Sequence, residues 1–422
     1  NMKNLLYSFL VFVLMIYTSN TASQWQIVSS GGAVAYNSIS FYQSWGFAGG
    51  DLGLIKKTVD HGSTWTTLSL GATTKINDVY TYNHVIAYLC GVDGMIYKTP
   101  NGGLNWIAQT IAAAYRYYDL DFINSTTGMV VGDDGRAGFT TNGGTNWLQA
   151  QLNVSPGAKL DYKVCDMIDM NTWLVASADT QISNIRYSYL HRTTNNGASY
   201  QNVYTMIGGL TNDVSFMYLR VMSSTTIYAV SANGYFLRSI NNGTTWTSIQ
   251  LPTIPLAVDF ANMSTGYYCG QNGVIRKTTN GGINWIEQTS PTTQALKTIF
   301  CKDTSNIYAA GNNGTIVRTQ NGGNFVGVNP TGNEIPETFS LNQNYPNPFN
   351  PTTRISFDLP VSSFVDLTVY NILGKEIKVL VNENLSAGKY EADFNASDLP
   401  SGTYFYRLTA GDFTQTKKMM II

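Results

Sequence analysis

The sequence predicts an all-β chain: a seven-bladed β-propeller followed by a small Ig-like β-sandwich. Three observations predict it. A turn motif, Ser/Thr-x-Asp/Asn-x-Gly-x-x-aromatic, returns about every 40 residues, the spacing of propeller blades. Charged residues make up only 12% of the chain, and Gly, Thr, Asn, Ser and Tyr fill their place, a mixture suited to short strands and tight turns. Near residue 328 the repeat stops, and a proline-rich segment leads into alternating strands of a different texture.

The first element is for targeting. Lys3 precedes an apolar run from Leu5 to Tyr17, followed by Thr18, Ser19 and Asn20. A charged start and a short apolar core predict a signal peptide over 1–23. Thr21 and Ser23 stand at the −3 and −1 positions for cleavage before Gln24. No other stretch is long and apolar enough to cross a bilayer as a helix, so none is expected in the mature chain.

The propeller is expected over 24–328. The motif runs Thr58-Val59-Asp60-His61-Gly62-Ser63-Thr64-Trp65, then Thr99–Trp106, Thr140–Trp147, Thr193–Tyr200, Ser239–Trp246 and Thr278–Trp285. A seventh copy, from Thr319, is damaged, because Phe325 arrives one residue early. The Asx positions are Asp60, Asn101, Asn142, Asn195, Asn241, Asn280 and Asn321, spaced 41, 41, 53, 46, 39 and 41 residues apart. The Asx side chain can accept backbone N–H groups within its own turn, and Gly takes a backbone shape other residues resist. The ring, as at Trp65, Trp106, Trp147, Trp246 and Trp285, is expected to bury against its blade. Trp25-Gln26-Ile27-Val28-Ser29 reads as a fourth strand without its first three, one repeat before Trp65. It is expected to complete the last blade and close the ring.

These copies resemble the Asp-box repeats of bacterial sialidases and other propellers, where the box is structural. The texture over 24–328 also resembles the photosystem II assembly-factor type of propeller. Both resemblances imply the fold; neither fixes an activity.

Residues 329–344 read as a linker. Over 345–422, strands are expected at Ile355–Leu359, Val365–Tyr370, Tyr390–Phe394 and Thr403–Leu408, forming the sandwich. Several blocks occur in order: Tyr345-Pro346-Asn347-Pro348, the Val369–Gly374 strand and turn, Gly402-Thr403-Tyr404, and Lys417-Lys418 before an apolar end. They closely resemble the C-terminal sorting domain of the Bacteroidetes type IX secretion system. The resemblance implies Sec export, then passage of the outer membrane with this domain as address. The secretion machinery is the implied partner, and the product is secreted or held on the outer-membrane surface.

Composition excludes several classes. The net charge of −1 offers no basic face for nucleic acid. Three scattered histidines and four cysteines without a CxxC pair give no metal site, and no cofactor is expected. Cys90, Cys165, Cys269 and Cys301 read as buried strand residues; the alternative is a Cys269–Cys301 disulfide between neighbouring repeats.

Two function classes remain. A binding propeller would recognise a glycan or a protein. A secreted glycoside hydrolase of the Asp-box type would use paired aspartates, and Asp78, Asp119, Asp121, Asp166, Asp213 and Asp259 recur on expected first strands. The alternative is that these carboxylates satisfy backbone groups. Glu287 alone supplies a propeller glutamate, against a Tyr–Glu sialidase mechanism. Arg192, Arg238, Arg276 and Arg318 follow the repeat and read as exposed blade residues. The repeat is broken in two places. One is the connector Tyr115-Arg116-Tyr117-Tyr118. The other is the long fourth unit, with Tyr162, Arg186, Tyr187 and Tyr189. Tyr and Arg favour interfaces, so these loops are the expected binding surface.

Overall fold

The computed structural model describes residues 25–422, except 110, 112–114, 153–159, 324–327, 333, 386 and 398. The expected signal peptide, and Phe325 of the damaged motif, lie outside the described residues.

Among the described residues, seven sheets come before the C-terminal domain. Each starts with an innermost strand: Tyr36–Tyr42, Ile76–Thr81, Tyr117–Phe122, Tyr162–Met167, Phe216–Val221, Pro255–Phe260 and Leu296–Cys301. We number these blades one to seven. Each innermost strand packs against the next, and the strand of blade seven meets that of blade one. Every sheet is antiparallel, so short turns suffice to connect its strands. The second strand of each blade is buried along its whole length, as Ala87–Gly91 and Gly266–Gly270 show, save for half-buried Trp45 at the start of that of blade one. Both of its faces therefore carry core.

Blade seven takes its outer strand from the other end of the propeller. Gln26–Ser29 pairs antiparallel with Ile316–Thr319, Gln26 lying opposite Arg318. Trp25 is fully buried and meets Tyr267 edge to face, 6.1 Å between ring centroids. It does for blade seven what the motif tryptophans do elsewhere, such as Trp106 against Phe47 at 5.5 Å and Trp147 against Phe122 at 6.0 Å.

The turn motif is a local hydrogen-bond cage. Thr58 Oγ1 donates to Asp60 Oδ1 at 2.8 Å and accepts the Gly62 N–H at 3.0 Å; Asp60 Oδ1 accepts the Thr64 N–H at 2.9 Å. Asn101, Asn142, Asn195, Asn241 and Asn280 each accept the N–H four residues on at 2.9–3.0 Å. His61 and Gly62 both sit at positive φ, where glycine is favoured. Neighbouring blades also hold the cage. Lys98 Nζ and the Tyr88 hydroxyl both donate to the Gly143 carbonyl, at 2.6 and 3.0 Å. Arg318 and Tyr308 do the same to the His61 carbonyl, each at 3.0 Å. The repeat's cations are therefore not simply exposed: Arg192, Arg238, Arg276 and Arg318 are half-buried, and Arg318 ties blade seven to blade one.

All four cysteines are free and buried. Cys269 Sγ donates to the Leu296 carbonyl and Cys301 Sγ to the Asp259 carbonyl, both at 3.3 Å, so the two thiols serve separate backbone groups.

The C-terminal domain stacks two four-stranded sheets. One holds Val328–Gly332, Gly388–Asn395, Thr352–Leu359 and Ser340–Leu341; the other holds Glu376–Leu385, Ser363–Asn371, Gly402–Ala410 and Phe413–Ile421. Phe357, Leu367, Val369, Tyr406 and Met419 lie in the core between them. Part of the segment read as linker is strand, and the strand takes in Val328, read as the propeller's last residue: Val328–Gly332 pairs with Gly388–Asn395, and Ser340–Leu341 with Thr352–Leu359. The sheet edge offers backbone partners that polar linker composition does not reveal. The Tyr345–Pro351 segment clasps the last strand. Asn347 Oδ1 accepts the Met420 N–H at 3.0 Å, and Phe349, 1% exposed, exchanges backbone bonds with Met420 and Ile422.

Candidate functional site

Every innermost strand opens with the same irregularity. The pairing register slips around its second residue: between Tyr36 and Ser38, Ile76 and Asp78, Tyr117 and Asp119, and likewise in the other four blades. A β-bulge re-aims the extra side chain. Here it places second and third residues alike on the channel wall. The channel encloses about 300 Å³, lined by all seven innermost strands. The turn motifs, between third and fourth strands, lie at the opposite face from this mouth.

Below the mouth the wall is acidic, and its carboxylates face the next blade. Asp119 Oδ2 accepts the Cys165 N–H at 2.7 Å, Asp121 Oδ2 that of Met167 at 2.9 Å, and Asp166 Oδ2 that of Val221 at 2.7 Å. Asp259 Oδ2 accepts the Cys301 N–H at 2.7 Å. Asp78 accepts the Leu120 N–H at 3.3 Å and the Ser38 hydroxyl at 2.7 Å. In blade one, Ser38 and Ser40 do the same work for Val79 and Thr81. Asp213 does not belong to this ring. It precedes its strand and accepts the Ser215 N–H at 2.8 Å, a local turn.

Asp78 hydrogen-bonds to Asp119, and Asp121 to Asp166. Burial pushes all four carboxyls above their ordinary range, and within each pair the neighbouring charge adds to this for Asp119 and Asp166. A hydrogen bond between two carboxyls needs a proton on one of them, and the raised proton affinity of both pairs favours it. Asp259 is also raised by burial, countered by Arg220, whose Nε lies 3.1 Å from Asp259 Oδ1.

The expected binding residues divide. Tyr117 and Tyr162 are fully buried first residues of innermost strands, so they are core and not loop surface. Tyr162 hydroxyl meets His191 Nδ1 at 3.2 Å, and burial pulls that imidazole down to about 4. Tyr118 lines the channel at its mouth, with Arg116 against it, while Tyr115 packs on the third strand of its blade. Arg136 lies over the Tyr115 ring at 4.6 Å. Tyr118 donates to Asp133 at 2.7 Å, carries Lys163 Nζ 3.2 Å from its ring centroid, and meets Arg116 at its hydroxyl. Arg186 pairs with Asp179 and donates to the Leu210 carbonyl at 3.0 Å. Tyr187 and Tyr189 stack at 6.3 Å on the long strand Ile185–Thr193. That strand and Thr180–Ile182 extend blade four beyond its neighbours, a consequence of the long fourth unit. Lys163 and Lys297, both on the channel wall, were missed in the sequence, because a bulge leaves no residue-type signature.

Among the described residues, no group of three or more His, Cys, Asp or Glu is arranged to hold a metal, and no helix is long and apolar enough to cross a membrane.

Comparison with known families accounts for the C-terminal domain. Residues 343–422 match the family "Secretion system C-terminal sorting domain". This domain is a secretion-system sorting domain. It marks the chain for type IX export, to the cell surface or beyond. Of the expected signal residues, Tyr345 is 82% exposed, while Tyr404 is buried and donates to the Pro400 carbonyl at 3.1 Å. Gly374 takes a positive φ in its hairpin turn; Gly402 opens the strand Gly402–Ala410. Pro346 offers its carbonyl to Asn344 and Thr353, and Pro348 lies within the same clasp. Lys417 is half-buried and Lys418 exposed on the final strand.

No curated protein matches the sequence. Among solved structures, "YCF48 bound to D1 peptide" aligns with TM-score 0.55 at 14% identity, covering 70% of this chain and 97% of that one. YCF48 from Cyanidioschyzon merolae gives 0.53 at 15%, covering 70% and 98%. PorZ, a surface component of the type-IX secretion system of Porphyromonas gingivalis, gives 0.55 at 12%, covering 92% of this chain and 59% of that one. These likenesses establish the propeller fold.

Proposed function

We propose that the protein is an exported recognition module whose propeller binds a glycan or a protein on the face around the channel mouth, at blades three and four. The carrying observation is that the repeat is broken there, where the Tyr118 ring meets Arg116 and Lys163, and Tyr115 meets Arg136. Such groups are favoured at interfaces. That a YCF48 propeller was solved bound to a peptide is in keeping with recognition by this fold.

The glycosidase reading has less support. A glycosidase needs two carboxyls about 5 Å or more apart, flanking the scissile bond. The two aspartate pairs here are in hydrogen-bond contact, and each member also serves a neighbouring strand.

The test is a glycan-array and surface-protein capture screen of the mature chain, residues 24–422, with mass spectrometry of every retained glycan. Intact ligand whose retention drops with Tyr115→Ala or Arg116→Ala supports recognition. Cleaved glycan would replace it with the hydrolase reading.

A further inference from the structure

The seven bulge residues form a ring whose chemistry changes around the channel. Blades one and two contribute Asn37 and Asn77. Their amide nitrogens are committed: Asn37 Nδ2 donates to Asp51 and to the Ile76 carbonyl, both at 2.9 Å, and Asn77 Nδ2 to the Tyr117 carbonyl at 2.6 Å. That fixes both amide oxygens as acceptors for something else. Blades five and six contribute Met217 and Leu256, a short aliphatic arc. Between the two arcs, three blades apart in the ring of seven, stand Lys163 and Lys297. Among the described residues, neither ammonium makes a hydrogen bond or an ion pair. Lys163 stands over the Tyr118 ring; burial pulls its ammonium below the ordinary lysine range, and the nearby carboxylates of Asp161, Asp133 and Asp213 counter that in part without an ion pair. The carboxylates one layer deeper are occupied with each other, with Arg220 and with backbone N–H groups, and make no ion pair with either lysine.

We propose that this mouth binds the end of an acidic saccharide, its carboxylate held by Lys163 and Lys297. The ring hydroxyls donate to the Asn37 and Asn77 oxygens, and the apolar face of the sugar lies on Met217 and Leu256. The proposal rests on the reading of this face as a recognition surface and names its ligand class. The channel's volume of about 300 Å³ is at the lower end of small-molecule sites, so its mouth takes the end unit of a saccharide. Alternating donors and acceptors with one aliphatic side match a pyranose, whose edges are polar and whose face is apolar. Two cations that make no ion pair select an anionic sugar over its neutral counterpart. Seven separate bulges, each turning its second residue inward, put these groups on rigid strands, so little ordering cost falls on binding.

The experiment uses the mature chain on an array of oligosaccharides ending in uronic acid, sialic acid or a pyruvyl ketal, each beside its neutral counterpart. Free-carboxylate peptides are included. Acidic ends are expected to be retained at least about tenfold more tightly than neutral ones. Lys163→Gln and Lys297→Gln should each weaken the best acidic hit by about tenfold and leave the thermal midpoint unchanged, while Lys163→Arg retains binding. Equal retention of acidic and neutral sugars, indifference to both lysine substitutions, or retention of peptides alone overturns the proposal. If a ligand is retained and lost only with Tyr115→Ala, the recognition reading stands and this inference falls.

Discussion

Asx side chains hold this propeller together in two places, and they behave oppositely. At the rim, Asp60 accepts N–H and hydroxyl groups from its own turn and stays in contact with water. Slight desolvation would raise its pKa, but hydrogen bonds from Thr64, Thr58 and Ser63 outweigh it and pull the carboxyl down to about 2. In the channel, Asp119 accepts an N–H from a strand 46 residues away, and burial beside Asp78 pushes its carboxyl well up. The same group making the same kind of bond is held toward the ionised form at the rim and toward the protonated form in the wall. A backbone N–H makes the bond in both cases; the medium decides the charge.

Four outcomes would sharpen or break this contrast. The largest effect is expected from Asp259→Ala, which strips Cys301 N–H of its acceptor and leaves Arg220 without its partner. Arg220 is partly open to the channel, so the loss should fall near about 3 kcal/mol in a urea titration. A loss under about 1 kcal/mol would mean that water in the channel replaces the carboxylate. Next, Asp119→Ala should cost about 2 kcal/mol by the same measurement, because the buried Cys165 N–H has no other acceptor.

The third outcome concerns pH. Asp78, Asp119, Asp121 and Asp166 bind protons more tightly folded than unfolded, so their contribution is fully present below about pH 4 and declines as pH rises through their folded values. The rim groups Asp60, Asp169 and Asp303 act the other way, contributing above about pH 4 and losing it as pH falls through their lowered values. Thermal midpoints should therefore decline from mildly acidic toward alkaline pH. Asp119→Asn, which keeps an acceptor and supplies a donor, should flatten that decline. An unchanged slope would show that the pairs hold no proton. The smallest effect is expected from Asp60→Asn, within about 0.5 kcal/mol, since the other six motifs carry Asn at this place.

Part of this was legible in the sequence, for physical reasons that differ by region. The turn motif is closed within seven residues, from Thr58 to Thr64, so its residue types must appear at fixed offsets. Trp25 was legible as a displaced motif tryptophan, because every blade needs one large ring at that place. Tyr117 and Tyr162 were misplaced as loop residues. Being the first residue of a strand is a matter of register, and aromatic composition alone does not distinguish a strand's buried start from an exposed connector. Strands Glu376–Leu385 and Phe413–Ile421 were passed over because each carries charged residues on its outer face, which dilutes the alternation. Val328–Gly332 reads as linker since its strand character comes from the sheet edge it joins.

By itself the sequence determined the repeat, the closing strand's kinship with its fellows, and the sorting domain. Each rests on short-range chemistry that residue type records directly. Only the tertiary structure decided which aspartates pair, which tyrosines are core, and that seven bulges turn two lysines and two amides into one channel mouth. Those facts depend on strands some forty residues apart meeting around a ring, and no local pattern in the chain encodes which side chains will share that space or how much water will reach them.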